Sequence, residues 1–270
     1  MARRARLDAE LVRRGLARSR EQASSLIAQG KVTVGGMVAT KPATGVEAAA
    51  AIVVRDEDDP GWASRGAHKL LGAIEAFEPG GLTVEGKRCL DAGASTGGFT
   101  DVLLRAGAAQ VVAADVGRGL LDWRLRTDER VVVLDKTNVR TLTPELIGGP
   151  VDLVVADLSF ISLKLVLPAL VSCVREGADL LPMVKPQFEV GKDRLGSGGV
   201  VRDPGLRAEA VLAVAAAAAE LGLTTRGVVA SPLPGPSGNV EFFVWLRRAA
   251  AESAVDVDLL VRTAVQEGPS

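Results

Sequence analysis

Residues 89–100 read CLDAGASTGGFT: an apolar run stops at Asp91 and opens into a loop carrying Gly93, Gly97 and Gly98. Such a pattern predicts a strand, a tight turn where the backbone approaches a ligand, and the start of a helix. A phosphate-cradling loop needs Lys and then Ser or Thr after its last glycine, but Gly98 is followed by Phe99. A dinucleotide fingerprint needs G-x-G-x-x-G; the spacing here is G-x-x-x-G-G, and Asp91 would repel a pyrophosphate. NAD is therefore the weaker alternative. A ligand with a cationic centre fits better, as in S-adenosylmethionine, with its sulfonium, ammonium and ribose. Asp91 would face the ammonium, and the loop residues Gly93, Ser95, Thr96, Gly97, Gly98 and Phe99 the methionine part.

Outward from this loop, strand-like and helix-like segments alternate. Helical spacing covers 66–77, and strands are predicted near 88–91, 110–115, 130–134, 151–156 and 179–184. Asp203 and Pro204 supply the N-cap and first position of a helix reaching about Leu221. Segments 225–230 and 240–246 flank PLPGPSGN and predict an antiparallel pair at the sheet's end. The alternation predicts an α/β doubly wound sheet with ligands at the carboxyl ends of its strands. Asp115 ends the second strand, at the separation at which an acid meets ribose hydroxyls. Asp135 or Asn138, past the third strand, would reach the adenine. The bland alternative is that Asp91 and Asp115 merely cap helices or turns.

Four charged residues fall where such a sheet puts its active face. Asp157 follows VDLVVA, Lys185 follows ADLLPMV, Glu241 begins the last strand in GNVEFFVWL, and Lys69 lies in SRGAHKL. Singly, Lys69 reads equally as a surface lysine and Glu241 as one polar step in an alternating strand. Together they favour one reaction. Base methylation commonly uses an Asn/Asp-Pro-Pro-aromatic motif or a cysteine nucleophile, whereas the fourth strand ends in DLSF. A ribose hydroxyl needs a base or strong acceptor, which a buried lysine aligned by acids can supply.

The amino-terminal segment differs in kind. Residues 1–41 carry nine Arg or Lys against three acids, on a chain of net charge −1. A basic segment on an acidic body points to a polyanionic partner. Leu7, Leu11, Leu16, Ala23, Leu26 and Ile27 recur at helical spacing; Gly15 divides the run, and Ser19 with Gln22 forms a capping pair. KVTVGGMVA then predicts two short strands around a Gly-Gly turn, and AAIVVRD a third. Two helices and a small sheet bearing arginines suit a compact α+β nucleic-acid-binding module.

Composition excludes other classes. With 270 residues, 47% hydrophobic and 24% charged, the chain can bury a sizeable core. No apolar run approaches the ~18 residues of a membrane span; 211–223 comes nearest but contains Glu220. The first residues lack the apolar core of a signal peptide, and Asp8 and Glu10 interrupt a presequence-like basic face. A cytoplasmic protein is expected. Cys89, Cys173 and a single histidine cannot form an ordinary zinc site, so no metal is expected. Nothing predicts an obligate dimer, so a monomer is expected.

RLDAELVRRGLARSREQASSLIAQGKVTVGGMVATKPATGV resembles the S4 RNA-binding domain. The resemblance implies that Arg4, Arg6, Arg18, Arg20 and Lys41 contact structured RNA, with Arg65 beside them in the join. Lys69–Asp157–Lys185–Glu241 resembles the catalytic tetrad of FtsJ-type ribose 2′-O-methyltransferases. SRGAHKL, DAGASTGGFT, VADLSFISL, VKPQFEVGK and PGPSGNVEFFVWL, behind the S4-like module, look like the TlyA family across nearly the whole chain. That resemblance implies a Rossmann-like class I methyltransferase fold with an antiparallel last strand, S-adenosylmethionine as donor, ribosomal subunits as partner and Lys185 as the catalytic lysine. It further implies cytidine as the acceptor in both small- and large-subunit RNA, with loss of the protein lowering capreomycin susceptibility. The expected domains are an S4-like module at 1–59, a linker at 60–66 and a methyltransferase domain at 67–270. In GWASRGAHKL the family's linker is thought to couple RNA docking to cofactor binding; Trp62 reads equally as packing, and His68 as structural. Phe160 and Phe188 either stack on a flipped base or pack in the core, and 186–204 predicts a mobile loop. The remaining alternatives are a membrane-active protein and an assembly factor with an inactive methyltransferase fold.

Overall fold

The computed structural model describes residues 5–17, 19–47, 50–54, 61–235, 237–249 and 255–268, without the side chains of 192 and 197. It divides into two compact units, Met1–Gly61 and Trp62–Ser270. Arg4 and Arg18 lie outside the described residues.

In the first unit, β1 (Ala5–Arg6) leads into α1 (Leu7–Arg13) and α2 (Arg20–Ala28). Between the helices Gly15 takes φ +70°, and the Ser19 hydroxyl caps α2 by accepting from the Gln22 amide. β2 (Val32–Val34) and β3 (Met37–Val38) turn through Gly35 and Gly36, both at positive φ as this tight hairpin requires. β4 (Gly45–Val46) pairs antiparallel with β1, and β5 (Ile52–Val54) with β2. Leu7, Leu11, Ala23 and Ile27 are buried together. Leu16 stays partly exposed, because the chain has left the helix by that residue. The β1–β4 pairing was invisible in the sequence, since two residues show no alternation.

The second unit runs α3 (Ala67–Phe77), β6 (Arg88–Ala92), α4 (Gly98–Arg105), β7 (Gln110–Ala114), α5 (Trp123–Arg126), β8 (Val131–Leu134) and β9 (Val151–Ala156). It continues with α6 (Leu167–Ser172), β10 (Val174–Val184), α7 (Pro186–Glu189), α8 (Pro204–Glu220), β11 (Thr224–Ala230), β12 (Phe242–Arg247) and α9 (Val257–Glu267). The seven strands order as β11-β12-β10-β9-β6-β7-β8; β12 alone runs antiparallel to both its neighbours. This is the doubly wound sheet with an antiparallel close. Buried helix faces cover both sides, giving one apolar cluster around Leu90, Val154 and Phe242 and another around Leu103, Leu153 and Phe243.

Three details depart from the sequence reading. β10 starts at Val174, with a register shift before Asp179, so only its second half has a strand's regular pattern. Trp62–Gly66, expected within the linker, sits on the second unit. The Trp62 ring lies 4.1 Å beneath the Arg105 guanidinium, and the Ala63 amide donates to Asp101. The tail forms α9, capped by Asp256 and burying Val261 and Ala264. The latter signal was present as an N-cap before helical apolar spacing.

Away from the carboxyl ends, the buried Asp179 carboxylate accepts from Trp245 Nε1 (2.8 Å), Arg247 Nε (2.9 Å) and Lys87 Nζ (3.0 Å). Burial works to raise its pKa, but these donors outweigh it and hold it below the ordinary carboxylate value. Asp179→Ala should cost about 3 kcal/mol by orphaning those donors, read as a drop in denaturant midpoint. The wild-type contribution should be present at neutral pH and be lost as pH falls through the depressed folded-state pKa.

Candidate active site

Parallel pairing sets the site. Ala92 on β6 lies level with Ala156 on β9, and Ala156 with Pro182 on β10, so three carboxyl ends open onto one crevice. Antiparallel pairing of Val184 with Phe242 brings Glu241, immediately before β12, back to the same end.

The loop after β6 opens with Gly93 at φ +89°. A Cβ there would stand 2.6 Å from the Asp157 carbonyl, so only glycine lets the two strand-end loops touch. Asp91 is fully buried. Its Oδ2 accepts from the Thr100 hydroxyl at 2.7 Å, while Oδ1 is buried without a partner. Burial raises this carboxyl to about 7, opposed by the Thr100 bond and reinforced by nearby Asp157. Thr100 was not singled out from sequence; its place two residues past the last glycine, facing back along α4, was the available signal. Asp115 accepts from the Ser95 amide (2.8 Å) and the Gly117 amide (2.7 Å), tying loop to strand end.

A cavity of about 460 Å³ opens here, lined by Gly93, Ser95, Asp115, Asn138, Asp157 and Phe160 among others. That is ample for a nucleoside-sized ligand. A narrow recess of about 110 Å³ adjoins it, walled by Ser64, Gly93, Ser95, Gly98, Phe99 and Asp157. Phe99 is buried, its ring 6.0 Å from Phe243, so its side chain belongs chiefly to the core. Thr96 instead ties the loop to α5 through its carbonyl, which accepts from the Asp122 amide. Asp135 does not line either cavity: its carboxylate accepts from Arg126 (2.9 Å) and the Gly119 amide (3.2 Å). Of the two adenine-side candidates, Asn138 is the one at the cavity.

The four charged residues form two tight ion pairs. Lys69 Nζ stands 2.6 Å from Glu241 Oε2, with both side chains buried. Lys185 Nζ stands 2.6 Å from Asp157 Oδ1 and donates to Ser159 Oγ at 3.0 Å. Gly235 crosses directly over Glu241, where a Cβ would lie 2.6 Å from Oε1. A third cavity, about 310 Å³, is lined by Lys185 and Glu241 with Ser159, Phe160, Gln187 and Phe188. Ser159 and Phe160 belong to the walls of both large cavities, so the two meet beside Lys185. Core packing fails for Phe160, which is 91% exposed with its ring 5.3 Å from Phe188. The segment expected to be mobile is tied at Asn239, which accepts from the Val201 amide and donates to the Gly199 carbonyl. His68 and Arg65 are exposed.

Residues 62–248 match the FtsJ-like methyltransferase model and residues 5–52 the S4 domain model. The chain is 64% identical, over the full length of both, to the 16S/23S rRNA (cytidine-2′-O)-methyltransferase TlyA of Mycobacterium tuberculosis. This chain belongs to the TlyA family. Another TlyA relative, the 23S rRNA (cytidine-2′-O)-methyltransferase of Campylobacter jejuni, is 35% identical over 68% of this chain and 70% of its own. A solved Streptococcus thermophilus protein labelled a hemolysin superposes with a TM-score of 0.77 at 34% identity, covering 99% of this chain and 98% of its own. TlyA membership, with its FtsJ-like methyltransferase domain, sets aside the NAD-linked alternative. Among the described residues no helix is long and apolar enough to cross a membrane, and no group of three His, Cys, Asp or Glu could hold a metal ion.

In the unfolded chain Asp91 ionises near the ordinary aspartate value, but in the folded one only near 7. Ionising the buried group therefore costs stability as pH rises between the two values. Asp91→Asn should gain stability relative to wild type as pH rises from 5 to 7, by at most about 1.4 kcal/mol per pH unit. Parallel thermal melts across that range check it.

Proposed function

We propose that this protein transfers a methyl group from S-adenosylmethionine to the ribose 2′-oxygen of cytidine in ribosomal RNA. The observation that carries the reading is the meeting of the two cavities beside Lys185, held by Asp157 and Ser159. One cavity is sized for the donor and the other is open for an acceptor nucleoside.

The residues present fit the donor. The orphaned, buried Asp91 Oδ1 calls for a cationic or hydrogen-bonding partner at the loop, as the ammonium of the methionine part would be. Asp115 and Asn138 line the larger of the two cavities and present oxygens suited to ribose and adenine. Ser95, Gly97 and Gly98 shape the loop around the methionine part. When bound, this donor supplies an electrophilic methyl group on a sulfonium. The chain's own task is to position the acceptor and handle its proton. Lys185 Nζ, fixed by Asp157 and Ser159, first gives up one proton to solvent; the free amine then orients the 2′-hydroxyl and receives its proton as the oxygen–carbon bond forms and the methyl–sulfur bond would break. Glu241, held by its ion pair with Lys69, lines the acceptor cavity together with Lys185. Phe160, exposed and braced on Phe188, stacks on the base.

The S4 module supplies the docking surface for rRNA. Arg6 and Arg20 both reach the buried Asp8 carboxylate at 2.9 Å while staying largely exposed, and Lys41 is exposed on the same unit. The full-length likeness to a relative named for both 16S and 23S rRNA supports action on both subunits.

Two experiments test this. Labelled methyl transfer to ribosomal subunits lacking the modification should place label on a cytidine 2′-oxygen, and Lys185→Ala should reduce transfer at least about 100-fold with cofactor binding retained. Transfer to a base atom, or an unimpaired variant, sinks the reading. Replacing Arg6 and Arg20 together by Ala should weaken RNA binding and lower the slope of log affinity against log salt by about 2. An unchanged slope would remove these arginines from the interface.

A further inference from the structure

Glu189 closes α7, four residues beyond Lys185, and appears in neither ion pair of the site. Its carboxylate reaches across to the loop after β9. Oε2 accepts from the Ser162 hydroxyl at 2.6 Å and Oε1 from the Leu163 amide at 2.7 Å. Both are charge-assisted bonds, the stronger kind. Ser162 in turn caps the short helical turn Leu163–Leu165, whose Leu163 is buried in the core. The β9 loop is thus stapled twice to the segment after β10: at its start by Lys185 on Asp157 and Ser159, at its end by Glu189 on Ser162 and Leu163.

Between the staples stands Phe160 at φ +63°. A bulky residue held in the left-handed region is strained and stays there only if its surroundings hold it. Ser159 is held directly by Lys185, whereas Phe160 makes its ring contact with Phe188 and depends on the loop's two anchored ends for its backbone conformation.

We infer that Glu189 is a positioning residue for the acceptor side of methyl transfer: its two bonds fix the 157–163 loop so that Ser159 and Phe160 stand at the cavity junction beside Lys185. The inference rests on the reading of that junction as the meeting of donor and acceptor. Glu189 does not line either large cavity, so it acts through the loop.

The test uses the full chain with Glu189→Ala, Glu189→Gln and Ser162→Ala. Amide hydrogen exchange over 157–163 reads the staple itself, whatever the acceptor. It should quicken in Glu189→Ala, less so in Ser162→Ala, and stay near wild type in Glu189→Gln. The glutamine can still accept from the Leu163 amide and donate to Ser162. With rRNA subunits, Glu189→Ala should lower kcat/KM for RNA about 10- to 100-fold, while cofactor affinity by calorimetry changes no more than about twofold. Glu189→Gln should restore most of the activity, and melting temperatures identify any variant that fails to fold. Unchanged exchange in Glu189→Ala, equal losses in cofactor affinity and RNA turnover, or no rescue by glutamine would each overturn the inference. A wild-type protein that methylates no rRNA would instead defeat the functional reading, with exchange still reporting on the staple.

Discussion

The register between β6, β9 and β10 governs the site. A parallel sheet repeats its strand ends at one level, so whatever residue follows each strand is delivered to a common rim. Ala92, Ala156 and Pro182 sit at that level, and Asp157 and Lys185 follow within three residues. A slip of one residue in β10 would turn its alternating side chains to the opposite face and pull Lys185 away from Asp157. The long apolar strands, buried on both faces, make that slip costly.

Much of this was legible from residue order. The glycine loop after Asp91 located the first strand end because few backbones need positive φ directly after an apolar run. The charged residues at the strand tips stood out because each directly follows an apolar stretch, LVVA before Asp157 and LLPMV before Lys185. Asp203 and Pro204 marked the start of α8 by the ordinary chemistry of caps. Sequence distance along a strand end does not say which neighbour claims a carboxylate: of Asp135 and Asn138, Asp135 is held by Arg126 and Asn138 lines the cavity. Glu189 and Thr100 went unread for a related reason. Each acts across a loop boundary, on a partner fixed only once the chain is folded.

The electrostatics of the two units follow different rules. At the candidate active site the charges are paired, Lys69 with Glu241 in the interior and Lys185 with Asp157 at the cavity wall. Such pairs are weak sources of stability after desolvation; what they fix is where each side chain points. In the first unit Asp8 and Glu10 are buried, while Arg6, Arg13 and Arg20 reach outward. Asp8 gathers Arg6 and Arg20, while Glu10 gathers Arg13 and Arg14 and is held at about 2 chiefly by the Arg13 bond. The basic surplus read from composition is therefore partly neutralised at close range.

That arrangement changes when the cost of ordering is met. A free arginine on a surface loses up to roughly 2 kcal/mol of rotamer freedom when a ligand immobilises it. Arg6 and Arg20, each held by one shared carboxylate, surrender much of that freedom as the protein folds. A polyanion docking at this face would meet guanidinium groups already anchored on one carboxylate. Its recognition would then turn on whether its own charges match that arrangement, and less on how many charges it carries.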